Sequence, residues 1–195
     1  MSDAIKSINL KDGNVLEIYQ DSDACSPREW DNLGIMFIQH KNYNFGDTDV
    51  PIPADEFESW EDVQYYIVST LRALVCLPIY MYDHSGITIN TTGFSCGWDS
   101  GQVGFIYITQ KKLDEMGVTL NNDEEWPDFL ERLKKYMVGE VETMDQYVTG
   151  DVYGFKVKDA EGEDVDSCWG FYGDDVKTNG ILDHVSSEPV NMDDL

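Results

Sequence analysis

Lysine and arginine are scarce in this chain. They number 13 against 38 Asp and Glu, which leaves a formal net charge of -25 over 195 residues. Neutralising phosphate takes clustered cations, so direct binding to nucleic acid is not expected, nor is adhesion to an anionic membrane surface. Long apolar runs are missing as well. No stretch approaches the roughly 18 apolar residues of a membrane span, and the first residues lack a basic region followed by an apolar one. The expectation is a soluble protein of the cytoplasm. Cysteine is limited to Cys25, Cys76, Cys96 and Cys168, with no C-x-x-C pair, which fits neither a disulfide framework nor a zinc knuckle. Reduced thiols follow. His40, His84 and His184 stand singly, outside any H-x-x-x-H or H-E-x-x-H frame. The acidic stretch from Asp159 to Asp166 lacks the sixth-position Gly and twelfth-position Glu of a calcium loop. With no G-x-x-x-x-G-K-[ST] or G-x-G-x-x-G pattern either, no metal or cofactor is expected.

What the chain does have is enough apolar material to fold. Hydrophobic residues make up 42% and aromatics 12%, more than a solvated acidic disordered chain carries. The charge is no detachable tail: residues 1–65 sum to -10, residues 66–130 to -5 and residues 131–195 to -10. One acidic domain is expected over residues 1–185, with a flexible C-terminal tail over 186–195.

Alternation predicts a strand at Asn14–Tyr19, and an apolar run predicts another at Leu33–Ile38. A helix should start at Ser59, where Ser59-x-x-Asp62 can cap the free amides. Trp60, Val63, Ile67, Leu71 and Leu74 continue it at helical spacing, to an end before Pro78. Residues 73–110 hold Asp83 and Asp99 as their only acidic side chains and no Lys or Arg, which marks them as the buried centre. Strands are predicted there at Ile79–Tyr82, Ile87–Ile89 and Val103–Ile108, and a short helix at Lys111–Met116, stopped by Gly117. The longest helix is predicted from Asp123 to about Val148, with an apolar stripe of Trp126, Phe129, Leu130, Leu133, Met137, Val141 and Met144. A hairpin follows, Val152–Val157 and Val165–Tyr172, turning at Asp159–Gly162. The fold class is α+β: a mainly antiparallel sheet with two principal helices.

Two constellations could carry function. Cys96 as nucleophile, His84 as its base and Asp83 or Asp99 as an orienting carboxylate would make a small cysteine-dependent hydrolase or transferase, if adjacent strands bring them together. The plainer reading is a buried Cys among glycine turns. Tyr65, Tyr66 and Tyr107 likewise read as core, since stacked bases would need interleaved cations. The second constellation is the acidity itself. Carboxylates along a face can imitate the phosphates of a duplex, which carries a charge about every 1.7 Å of its axis. The candidates are Asp55, Glu56, Glu58, Glu61 and Asp62 at the first helix start, Asp123, Glu124, Glu125 and Asp128 at the second, and Glu140, Glu142 and Asp145 farther along it. Acidic residues at helix starts also have a local reason, because they complement the helix dipole.

The strings Ser26–Gly34, Asp83–Gly86, Cys96–Gly104, Asp145–Gly154 and Asp166–Gly170 resemble a family of uncharacterised proteins carried by bacteriophages and mobile elements, over roughly residues 20–175. The resemblance brings no activity with it and implies a phage setting, in which acidic proteins block restriction enzymes and CRISPR effectors by occupying their nucleic-acid sites. The leading expectation is a non-enzymatic anti-defence inhibitor that binds a basic nucleic-acid-handling host protein. The alternatives are the cysteine-dependent enzyme and an accessory phage protein whose acidity serves solubility.

Overall fold

The computed structural model describes residues 3–191. Its strands are β1 (Lys6–Asn9), β2 (Val15–Gln20), β3 (Ile35–Ile38), β4 (Ala73–Asp83), β5 (Ile87–Asn90), β6 (Ser100–Thr109), β7 (Val152–Lys158) and β8 (Asp164–Tyr172). Its α-helices are α1 (Trp60–Ser69), α2 (Gln110–Met116), α3 (Trp126–Thr149) and α4 (Ile181–His184). The architecture is α+β, with two antiparallel sheets and α1 and α3 as principal helices. Among the described residues, no helix is long and apolar enough to cross a membrane.

The chain divides into two compact units, one of residues 26–145 and one made by both ends of the chain. In the unit built from the ends, the sheet runs β1-β2-β7-β8. Alternation sends Leu16, Ile18, Phe155 and Val157 to one face, where they pack with Ile8, Leu10, Phe171, Val176 and Ile181. Neither β1 nor α4 is predicted by sequence pattern, because each is only four residues long. The stretch expected to fray from Ser186 is held at residues 188–190: the Lys11 amide donates to the Glu188 carbonyl at 2.9 Å and the Val190 amide to the Asn9 carbonyl at 2.8 Å. Residues 192–195 of that stretch lie outside the described residues.

In the other unit the sheet order is β3-β6-β4-β5. Residues 103–108 of β6 are all buried, and the reason is that both faces of this strand are covered. Phe105 and Tyr107 pack with Val63 and Ile67 of α1. Ile106 points the other way, toward Gly34 and the Glu140 side chain of α3. A strand covered on both faces reads as a continuous apolar run rather than an alternating one.

The first helix is shorter than its apolar spacing predicts. It ends at Ser69, Arg72 turns the chain with a φ of 56°, and Leu74 lies in β4. Leu71 and Leu74 fit the helical period, but the run from Ala73 onward pairs with β6 from Ala73↔Thr109 to Tyr82↔Ser100, and that ladder outweighs local periodicity. Pro78 is no helix stop. It sits inside β4 where β5, which pairs only with Tyr80–Asp83, does not reach, so its missing N–H faces an open edge. The long helix starts three residues later than expected, at Trp126, since Asp123 takes a φ of 64°. Trp126 is 45% exposed and leaves the stripe, while Phe129, Leu133, Met137, Val141 and Met144 are buried as predicted. The short helix is capped by Thr109, whose hydroxyl accepts from the Lys112 amide, and it ends at Gly117 with a φ of 66°, a left-handed conformation that glycine adopts without strain.

Gly104 and Tyr107 of β6 generate opposite stability predictions. A Cβ on Gly104 would lie 1.9 Å from the Phe37 carbonyl oxygen of paired strand β3, a backbone clash that no rotamer relieves. Gly104→Ala is expected to cost about 3 kcal/mol or more. Tyr107 is fully buried and its hydroxyl has no hydrogen-bond partner among the described residues. Burial, with the Asp47 charge adding to it, pushes this phenol above the usual tyrosine range. Because an unpaired buried polar group carries a desolvation cost of about 1–3 kcal/mol, Tyr107→Phe is expected to raise stability by roughly 1 kcal/mol. Urea denaturation with an unchanged m-value checks both.

Candidate functional site

Between β5 and β6 the chain makes an irregular loop that carries Cys96, Trp98 and Asp99, and the turn after β4 carries His84. The strand pairing of β4 with β6 brings two of the expected catalytic residues together. His84 Nδ1 lies 3.3 Å from Asp99 Oδ2, and the two side chains are 65% and 41% exposed. The His84 ring also stacks on Tyr82, with centroids 5.9 Å apart, and Tyr82 in turn meets Phe94. No hydrogen bond joins the Cys96 sulfur to His84 among the described residues. The Cys96 carbonyl accepts from Ser100 Oγ, which ties the loop to the start of β6. The Asp83 amide donates to the Asp99 carbonyl at 2.8 Å, so that aspartate extends the β4–β6 ladder. A nucleophile works with its base within hydrogen-bond reach, and the contact shown for this imidazole is with the Asp99 carboxylate. The four cysteines are free, and burial pushes the Cys76 thiol up to about 12. No group of three or more His, Cys, Asp or Glu that could hold a metal occurs among the described residues.

The twelve acidic candidates fall into two sets. One set is occupied by the fold. Glu140 receives Arg28 Nη1 at 2.9 Å and the amides of Leu33 and Gly34, at 2.7 Å and 3.0 Å. Asp145 accepts from Thr88 Oγ1 and from the Ile89 amide, both at 2.7 Å. Glu124 binds Arg132 Nε at 2.8 Å and accepts from the Asn121 amide. The hydrogen bond from Arg132, with that amide adding to it, holds the Glu124 carboxyl down at about 2. Asp62 accepts from Ser59 Oγ while its own amide donates back to the same oxygen, which is the predicted cap. The other set is exposed: Asp55, Glu56, Glu58 and Glu61 around the start of α1, Asp123, Glu125 and Asp128 at the start of α3, and Glu142 on its outer side.

The α1 group is the densest of these. Residues 42–71 contain seven acidic side chains and no Lys, Arg or His, and among the seven Asp47 is neutralised by Arg28 at 2.9 Å. On the same helix Tyr65 is 75% exposed, against the expectation that it is core, while Tyr66 and Tyr107 are indeed packed in the α1 cluster. A helical wheel carries the signal for this: with Val63 and Ile67 facing inward, Tyr65 at two residues from either falls on the far side. Arg28 is the residue that sequence reading misses. Its Nε and Nη2 bind Asp47, its Nη1 binds Glu140, and Nη2 also donates to the Gly34 carbonyl at 2.7 Å. Nothing in local sequence spacing joins residues 28, 47 and 140.

No protein-family model, curated protein or solved structure matches this chain.

The Glu124–Arg132 pair yields a pH prediction. A carboxyl held below its ordinary value of 4.5, at about 2, contributes stability that is present above the unfolded value and lost as the pH falls toward the folded one. Wild type and Glu124→Gln should therefore differ in Tm at neutral pH, and the difference should shrink between pH 4.5 and 2. A difference that stays constant across that window would show that Glu124 does not titrate in this way.

Proposed function

We propose that this protein is a non-enzymatic inhibitor of phage type, which binds a basic nucleic-acid-handling host protein, a CRISPR effector or a restriction enzyme, through carboxylates that stand in for phosphates. One observation carries the reading: the stretch 55–62 presents exposed carboxylates at Asp55, Glu56, Glu58 and Glu61 in a 30-residue segment without a basic side chain. Surface carboxylates that are neutralised inside the molecule, as Glu124 and Glu140 are, cannot attract a cation from outside. These four are free of such an ion pair among the described residues and stand closest together in sequence of the eight exposed candidates. A field of one sign over a whole surface speeds encounter with an oppositely charged partner and repels nucleic acid. The fold supplies helix starts as rigid mounts for the charge. The enzymatic alternative has less support, since His84 pairs with Asp99 and no hydrogen bond from His84 to the Cys96 sulfur accompanies it among the described residues.

The test is displacement. A labelled duplex bound to a purified effector or restriction enzyme should be released by this protein, and release should weaken steeply as salt rises from about 50 to 200 mM. Replacing Asp55, Glu58 and Glu61 by Lys should weaken competition at least about tenfold, by lost on-rate and lost pairing. Asp62 is spared because it caps α1 through Ser59, and the thermal unfolding of the triple variant should change little. Equal competition by the variant, or release insensitive to salt, would sink the reading. So would micromolar binding of the protein itself to a random duplex.

A further inference from the structure

α1 turns Val63 and Ile67 into the core and leaves Tyr65 and Val68 75% and 49% exposed. Spaced three apart, these two side chains are neighbours on the helix surface. The Tyr65 ring and hydroxyl make no hydrogen bond, ion pair or ring contact among the described residues, although an aromatic of this size gains about 1.5–3 kcal/mol from burial. One turn away, at i-4 and i-3 from Tyr65, stand Glu61 and Asp62, and Glu58 precedes the helix. We infer that this outer face of α1 is a docking surface for a basic protein, with Tyr65 and Val68 as its apolar centre and Glu58 and Glu61 as its rim. The inference rests on the reading of the acidic surface as a partner site, and it adds an anchor that charge alone does not supply.

Charge complementarity selects the occupant. A second copy of this chain would bring the same carboxylates and a further -25 against the face, and like charge across an interface is costly. An anionic membrane or a nucleic acid is repelled for the same reason. A cationic protein surface is not, and one that offers an apolar pocket among its Lys and Arg side chains matches an aromatic inside an acidic rim. Interfaces concentrate their energy in this way, in a buried Tyr, Trp or Arg ringed by polar groups that exclude water. The division of labour is physical: the rim carboxylates act at long range and are screened by salt, whereas burial of Tyr65 acts at contact and persists in salt.

The experiment uses the full chain and two synthetic cationic helices, each about five turns long. One is built of Arg and Ala, and the other has the same charge with Leu in place of Ala along one face. Affinities are measured at about 50 and 200 mM salt. Wild type should bind both helices at low salt and hold the Leu-bearing one more tightly at high salt. Tyr65→Ala should weaken the Leu-bearing helix about tenfold and leave the Arg–Ala helix unchanged, with thermal unfolding unaltered because Tyr65 is exposed. Trp98→Ala serves as the control: it removes the 97% exposed ring of the loop before β6 and should change neither affinity. If Tyr65→Ala leaves the Leu-bearing helix unaffected, or if Trp98→Ala produces the loss instead, the docking surface is not this face, and the acidic reading stands without it. If neither helix binds at low salt, the acidic reading fails and this inference with it.

Discussion

The unit of residues 26–145 is organised around one buried cation. Arg28 reaches Asp47, Glu140 and the Gly34 carbonyl from a side chain that is 6% exposed. It thereby ties the segment before β3, the loop after β3 and the middle of α3. Burial by itself would lower the Arg28 pKa, yet the hydrogen bonds and charge of Asp47 and then Glu140 more than offset it and hold the guanidinium above its ordinary value. The planar fork of an arginine meets these demands with separate N–H groups, which a lysine ammonium could not do at the same angles. The carboxylates are in turn saturated by backbone: the Met36 amide donates to Asp47 at 2.8 Å, and the Leu33 and Gly34 amides donate to Glu140. A buried charge cluster is tolerated when its lone pairs and protons are filled in this way, and removing one partner leaves an uncompensated charge. Through Asp47 the same cluster sets where the loop leaves β3, and that loop runs on to α1.

The acidity of the chain is thus of two kinds, and only three-dimensional placement separates them. Glu124, Glu140 and Asp145 hold amides, hydroxyls and guanidiniums within the molecule. Asp55, Glu56, Glu58 and Glu61 face solvent. The first kind stabilises the fold, since each carboxylate replaces water with donors fixed by the backbone. The second kind lowers it slightly by mutual repulsion. In α1 part of that cost is offset because Glu61 and Asp62 lie in the first turn, where the helix dipole favours negative charge.

Sheet edges follow a related logic. In the sheet built from the chain ends, β8 is an edge strand of nine residues, long enough to invite pairing with another chain. Its ladder to β7 is interrupted at Tyr153/Gly154 and at Val157/Lys158, and it carries Asp164 and Asp166. Bulges and charges of this sort shorten the straight edge that another strand could use.

Much of the fold was legible in the sequence because it depends on local pattern. The Ser59 cap, the Gly117 stop, the α3 stripe from Phe129 to Met144 and the β7–β8 hairpin are each decided by neighbours within a few residues, and each stands where the spacing predicted. The α+β class follows from their sum. What depends on distant partners was not legible. Leu71 and Leu74 obey a helical period, yet pairing of β4 with β6 draws the chain out of the helix before either can extend it. Tyr65 and Tyr66 are the same residue type side by side: the helical period of Val63 and Ile67 already sets Tyr65 on the far face, and what only the fold adds is the packing of Tyr66 against the cluster that α1 forms with β6. Glu140 and Glu142 are indistinguishable as letters, but only Glu140 lies where Arg28 and two amides converge. Sequence determined the amount of negative charge and the helices that carry it. Tertiary structure decided which carboxylates are neutralised inside and which face outward, because hydrogen-bond and ion-pair partners are chosen by proximity in space.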